Sequence, residues 1–370
     1  MTETIAGEHL KRTPLYDDHV ALKARMVPFG GWEMPVQYEG ILAEYEQTRR
    51  AAAIFDTCHM GEFVVEGDAR PCGLDRLVTM SLNDLPVKSC RYGLLLNQEG
   101  GVVDDLIVFR LDKTQWFIVV NGATTRKDAF HFQKNLKKGT FFKDISSQTG
   151  KIDLQGPLAR DVLKPLVAGI EKLDYYTFDY FDLLGEYVLV SRTGYTGELG
   201  YEIFYPWGKI KRVWQELLKN SNVKPAGLGA RDVLRLEMGY SLYGHELEEN
   251  ISPLEAGLNR FIDFNKEFIG KEALLKQQEA GISRKLVGLL SDNRRTPRSG
   301  HKIYASDQQE IGLVTSGSFS PGLNAGIGLG FVRSASATQG EKIFFGDDKN
   351  KISAIITGKS FYKQGSLKNK

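Results

Sequence analysis

Two aspartates stand side by side in an apolar run, Val102-Val103-Asp104-Asp105-Leu106-Ile107-Val108-Phe109. Aspartate is a poor strand former, and burying its charge without a partner costs several kcal/mol. Successive strand residues face opposite ways, so Asp104 shares a side with Leu106 and Val108, and Asp105 shares one with Ile107 and Phe109. At least one carboxylate therefore meets an apolar surrounding. A raised pKa or a specific partner there would suit proton transfer or the stabilisation of a cationic intermediate. The alternative is that the pair sits at the strand end, caps the Gly100-Gly101 turn and is solvated. Periodicity does not choose between the two carboxylates.

A second constellation runs from Ser191 to Glu202, with Gly194, Gly197 and Gly200 at every third position. Such a loop lets backbone approach a ligand closely, with Tyr195 offering an aromatic face and Glu202 accepting a paired hydrogen bond from an aminopyrimidine-like edge. It joins two strands and no helix follows, which disfavours phosphate cradling; a decorated hairpin loop is the plainer reading. In the third, Gly227-Leu228-Gly229 leads into a helix with Arg231 in its first turn, against the helix dipole, and Arg235 adds a like charge on the same face. An arginine so placed is expected to pair with an acid or a ligand, the alternative being a surface residue balanced by Asp232. Adjacent strand residues point apart, so Cys58-His59 is not expected to act as a nucleophile and base. Gly326-Ile327-Gly328-Leu329-Gly330 reads as a strand with close backbone approach. Lysines 359, 363, 368 and 370 read as a solvated end.

These residues need a scaffold. Ile210, Val213, Trp214, Leu217 and Leu218 form one face of a helix; Leu158, Val162 and Leu166 mark another, with Pro157 in its first turn; Lys271 to Ala280 is a third, stopped by Gly281. Strands are expected over 63–66, 92–96, 102–110, 116–120, 187–192 and 201–205, with Asn97 to Gly101 turning a hairpin. From about position 284 the texture changes to short apolar runs, 286–290, 311–315, 327–332, 343–345 and 352–357, broken by Gly, Pro, Asn and Asp, which predicts a C-terminal antiparallel β domain. The first 280 residues read as mixed α+β, without the regular alternation of a doubly wound sheet.

The chain has 370 residues, enough for two or three domains, and 48 Lys+Arg against 46 Asp+Glu make no basic face for nucleic acid. No apolar stretch reaches membrane-spanning length, and the N-terminal residues carry acids and lack a signal-like apolar region, so a cytoplasmic protein is expected. Three cysteines without CxxC spacing and six scattered histidines, His9 among them, argue against disulfides and against a metal site.

Taken in order, the motifs resemble the aminomethyltransferase (T protein) family of the glycine cleavage system. The resemblance runs through Lys11-Arg12-Thr13-Pro14-Leu15-Tyr16, Phe29-Gly30-Gly31-Trp32-Glu33-Met34-Pro35, Phe55-Asp56 with His59-Met60-Gly61-Glu62, and Gly100 to Leu106. It continues through Leu154-Gln155-Gly156-Pro157, Arg192 to Glu198, Gly227 to Asp232, Leu242-Tyr243-Gly244, and Thr315-Ser316-Gly317 with Phe319-Ser320-Pro321. The departures are Thr57-Cys58, Leu199 after Thr-Gly-Glu, and Gly244-His245-Glu246; none falls on Asp105, Glu202 or Arg231.

The resemblance implies an α+β, three-domain cloverleaf: one mixed domain over 1–55 with 146–280, a second over 56–145 carrying the Asp-Asp hairpin, and a barrel-like antiparallel β domain over 281–370. It implies transfer of the aminomethyl carbon from the dihydrolipoyl arm of a lipoylated H protein to tetrahydrofolate, releasing ammonia and giving 5,10-methylenetetrahydrofolate, with no metal. As ammonia leaves, a fixed carboxylate can stabilise positive charge and orient the folate nitrogens. By motif position that role falls to Asp105, with Arg231 beside it in the catalytic set. Met60, Tyr92, Asn121, Tyr175, Tyr195, Glu202, Arg231 and Tyr240 are implied around the folate, Glu202 on the pterin's donor edge. A folate-dependent demethylase of the same fold is the alternative enzyme; the flavin-bearing oxidase form is not expected, since no flavin-binding half precedes these motifs. A non-catalytic folate-binding protein of iron–sulfur maintenance is the alternative of another class, and its cysteine signature is missing from Ser241 to Glu246.

Overall fold

A computed structural model describes residues 10–347 and 349–368. Residues 1–9 of the N-terminal stretch, His9 among them, and Lys370 lie outside the described residues. Backbone contacts divide the chain into a first unit, 1–93 with 106–231 and 365–370, and a second, 94–105 with 232–364.

The first unit holds one sheet and most of another. One has six strands in the order Phe178–Leu183, Glu186–Ser191, Gly200–Pro206, Thr149–Gln155, Ala52–Asp56 and Val223–Pro225. All its pairings are antiparallel except that of Ala52–Asp56 with Val223–Pro225. Period-two alternation gives this sheet two different faces. Ile152 and Leu154, Tyr201, Ile203 and Tyr205, and Val188 and Val190 enter a core closed by Val162 and Leu163 of one helix and Ile210, Val213, Trp214 and Leu217 of another. The predicted amphipathic helix is thus Ile210–Leu217. The other predicted helix is short, Ala159–Leu163; Lys164 keeps helical backbone, but Pro165 has no N–H to continue the ladder and Leu166 lies outside.

The second sheet has the order Cys90–Leu96, Val102–Arg110, Gln115–Val120, Gly61–Glu66 and Phe141–Asp144. Between the sheets lies an aromatic layer in which Phe109, Phe117, Phe178 and Phe204 meet edge to face at 5.0 to 5.7 Å. Met60 and Val64 pack against it.

The second unit contains a closed barrel ordered Arg284–Ser291, Ala325–Arg333, Glu310–Ser320, Lys302–Tyr304, Lys342–Gly346 and Lys351–Thr357, antiparallel throughout. The predicted strands are all present; Lys302–Tyr304 was too short to announce itself. Gly326, Gly328 and Gly330 lie in one barrel strand, and at Gly326 a Cβ would come within 2.0 Å of the Arg295 carbonyl oxygen. Helix Lys271–Ala280 ends as predicted at Gly281, whose φ is +80°. The lysine tail is less free than its composition suggests: Lys359 Nζ donates to the carbonyls of Ala256 and Gly257, and burial lowers its pKa to about 8.

The three cysteines are free and buried. Burial pushes the Cys58 and Cys90 thiols well above the ordinary value and raises that of Cys72. Cys58 and His59 lie in a turn, not in the strand expected for them, and the Cys58 thiol donates to the Lys151 carbonyl at 3.2 Å. No helix among the described residues is long and apolar enough to cross a membrane.

Candidate active site

The hairpin carrying Asp104 and Asp105 forms as expected, with strands Cys90–Leu96 and Val102–Arg110. Its turn is capped by Asn97, whose Oδ1 accepts from Gly101 N at 2.8 Å. They stand third and fourth in their strand, Asp104 fully buried and Asp105 half-buried. The solvated strand-end alternative does not describe Asp104.

The polar face of the six-stranded sheet begins with a conflict. Glu202 lies directly opposite Asp153 across the antiparallel pair of Gly200–Pro206 with Thr149–Gln155. Facing carboxylates destabilise such a pair. Lys151, two residues before Asp153 and therefore on the same face, resolves it: its Nζ reaches Asp153 Oδ1 at 2.6 Å and Glu202 Oε1 at 2.9 Å. Arg231, from the helix Leu228–Met238, supplies a second cation at 2.8 Å from Asp153 Oδ2. Two cations and two carboxylates balance. The Thr57 and Thr193 hydroxyls complete the cluster, donating to Asp153 and Glu202 at 2.9 and 2.7 Å. Burial alone would raise Asp153, but Lys151 and Arg231 hold its carboxyl below the usual range. For Lys151, burial alone would lower the ammonium, and Asp153 with Glu202 raises it.

The cluster is incompletely satisfied on one side. Arg231 makes one side-chain hydrogen bond; its other guanidinium hydrogens have no hydrogen-bond partner among the described residues, and its side chain is 16% exposed. Its guanidinium stands 5.0 Å from the Tyr195 ring centroid. Glu202 accepts one bond on each oxygen. Glu62 shares the aromatic-layer side of its strand with Val64, and both its carboxylate oxygens are buried without a hydrogen-bond partner. Burial pushes its pKa well above the carboxylate range; Lys151 opposes that shift, and Asp144 and Glu202 add to it. His59 is held neutral near pKa 4, chiefly by burial, and its Nδ1 also lacks a partner.

The glycine-rich loop does bring backbone close to something, and that something is Gln155. A Cβ on Gly194 or Gly200 would come within 2.1 or 2.3 Å of the Gln155 amide. That amide donates to the Thr193 carbonyl and accepts from the Thr196 hydroxyl. The glycines clear space for a buried side chain that orders the loop.

Among the residues singled out in the sequence, Tyr195, Glu202 and Arg231 gather at this cluster. Met60 packs on the aromatic layer, and Tyr175 meets Tyr176 at 4.7 Å. Tyr92 is half-buried on the hairpin strand, and Asn121 sits half-buried before the helix Thr125–Asn135, its carbonyl accepting from Thr125 Oγ1. Asp105 and Tyr240 belong to the second unit, where the Tyr240 carbonyl accepts from Arg235. Sequence reading missed Lys151, Asp153, Thr57, Thr193 and Glu62. The alternation Lys151-Ile152-Asp153-Leu154-Gln155 marks a half-buried strand, but gives no sign that its polar side is buried too.

A mixed α+β unit with a buried charged cluster, accompanied by a closed antiparallel barrel, defines the class of fold. Residues 15–266 match the GCVT N-terminal domain, and residues 284–363 match the glycine cleavage T-protein C-terminal barrel domain. An aminomethyltransferase of Desulforamulus reducens is 43% identical over 96% of this chain and 99% of its own length, and one of Listeria monocytogenes is 40% identical with the same coverage. The crystal structure of the glycine cleavage system aminomethyltransferase T from Bartonella henselae superposes with a TM-score of 0.91 at 32% identity, covering 96% of this chain and 99% of that one. The chain belongs to the glycine cleavage T-protein family.

Proposed function

We propose that this aminomethyltransferase binds tetrahydrofolate against Tyr195, Glu202 and Arg231, and that Asp105 is the carboxylate at the reacting carbon. Full-length agreement with curated aminomethyltransferases carries the transferase assignment. The site assignment rests on the unsatisfied side of the charged cluster.

Each group suits a separate task. Lys151 and Asp153 fix Glu202, so its carboxylate meets a ligand without reorganising. A pterin's aminopyrimidine edge offers paired N–H donors, which suit a fixed carboxylate with lone pairs to spare. Arg231 keeps donors for an acceptor on the ligand while Asp153 holds it in place. Tyr195 supplies a ring face. Met60, Tyr92, Asn121, Tyr175 and Tyr240 complete the proposed folate set. Tetrahydrofolate supplies the accepting nitrogens; the chain's part is to orient them and to stabilise positive charge as ammonia departs, the role given to half-buried Asp105. Lipoylated H protein as the donor, a cytoplasmic setting, and the division into domains 1–55 with 146–280, 56–145 and 281–370 belong to the same reading.

The test is ammonia release from aminomethylated H protein. Asp105→Asn is expected to abolish it while tetrahydrofolate binding stays within a few fold; full activity in that variant would sink the assignment. Glu202→Ala is expected to weaken folate binding about tenfold or more, in line with a lost charge-assisted hydrogen bond, and calorimetry checks it. Turnover of sarcosine in preference to the H-protein substrate would favour the demethylase.

A further inference from the structure

The second unit ends at Gln364, and residues from Gly365 onward group with the first. There they are fastened to the glycine-rich loop. Ser366 is buried, and both its N and its Oγ donate to Glu198 Oε2. Leu199 N donates to the Ser366 hydroxyl at 2.9 Å, and Leu367 N donates to the Gly197 carbonyl at 3.2 Å. The other Glu198 oxygen accepts from Arg49 Nη1 at 2.7 Å, and the same nitrogen donates to the Thr196 carbonyl. One carboxylate therefore clamps the tail to one side of the loop and Arg49 to the other. Beyond the clamp the bonds run on without a break. The Thr196 hydroxyl donates to Gln155, the Gln155 amide donates to the Thr193 carbonyl, and the Thr193 hydroxyl donates to Glu202. Tyr195 lies between these anchors with its ring against Arg231.

We propose that Ser366 is a positioning residue for tetrahydrofolate binding: its hydroxyl latches the C-terminal segment to Gly197-Glu198-Leu199 and so holds the Thr193–Glu202 span in its binding conformation. The proposal rests on the reading that Tyr195 and Glu202 meet the folate. The physical reason is entropic. A loop with three glycines has many conformations to lose, and the apparent affinity of a ligand falls by the fraction of molecules whose loop is already arranged. A hydroxyl is required because the same oxygen both donates and accepts. Alanine can do neither, and threonine can do both.

The test uses the full chain with Ser366→Ala and Ser366→Thr, read by calorimetric titration with tetrahydrofolate and by steady-state kinetics with aminomethylated H protein. Ser366→Ala is expected to raise Kd and KM for tetrahydrofolate about five- to twentyfold, the factor by which the arranged population would fall. Its kcat and its KM for H protein should stay within about twofold, and Ser366→Thr should restore affinity to within about twofold. Unchanged folate affinity in Ser366→Ala, or a fall in kcat with KM untouched, overturns the proposal. Should Ser366→Ala fold poorly, a chain ending at Gly365 removes the whole latch and is expected to show the same split; wild-type affinity in that chain overturns the proposal equally. Glu202→Ala separates the two readings. If it weakens binding and Ser366→Ala does not, the latch alone is wrong; if neither does, the folate assignment falls first.

Discussion

Arg231 and Arg235 stand one turn apart on the same helix, yet they are used in opposite ways. Arg235 is fully enclosed. Its Nε meets Asp232, Nη1 meets Glu246 and the Tyr240 carbonyl, and Nη2 meets Ser316. Glu246 is equally occupied, accepting from Arg235, Leu242 N, Thr315 and Ser316. That cluster is closed, as a buried ion pair must be if it is not to destabilise the fold. The cluster of Lys151, Asp153, Glu202 and Arg231 is balanced in charge but open in hydrogen bonding, with spare donors on Arg231 and an unpartnered acid, Glu62, nearby. One arrangement is satisfied within the chain; the other leaves donors on Arg231 unused.

The largest effect that could break this contrast lies in the closed cluster. Glu246→Ala leaves Arg235 buried without its main counter-charge and is expected to cost about 3–5 kcal/mol in urea unfolding. Arg231→Ala should cost about 1–2 kcal/mol, since Lys151 still neutralises Asp153, while folate affinity falls at least about tenfold. Equal losses of stability in the two variants would erase the distinction. The smallest effect carries the opposite sign. Because burial raises the Glu62 pKa in the folded chain, folding is most favoured below the unfolded value near 4.3 and weakens as pH rises toward the folded one. Glu62→Gln should therefore stabilise the protein by about 1 kcal/mol at pH 8 and by nothing near pH 4. Thermal unfolding across that range measures it, and a variant less stable at pH 8 would mean that Glu62 has a partner in the folded state.

The contrast also marks how far a sequence can be read. The Asp-Asp hairpin, the helices Ile210–Leu217 and Lys271–Ala280, and all but one of the barrel strands were legible, because each carries one strong period between clear stop signals. The strands Ala52–Asp56 and Thr149–Gln155 were not, although Glu202 and Arg231 depend on the second. Ala52–Asp56 is buried at every position and shows no alternation. Thr149–Gln155 alternates, but its polar side is turned inward, against the usual meaning of that pattern. Arg231 was recognisable by its poor placement against the helix dipole, whereas its acid, Asp153, lies 78 residues earlier in the chain, a pairing that local spacing cannot reveal. The glycines of the loop were noticed for the right property, close approach, but the group approached is Gln155.

The cysteines acquire a chemical meaning from the company the protein keeps. A transferase of this family handles an arm that ends in a dithiol, and once such a dithiol is oxidised to its disulfide any accessible thiolate can attack it. Cys58, Cys72 and Cys90 are all buried and biased toward the protonated form. Among its cysteines the chain thus presents no exposed thiolate to such a disulfide.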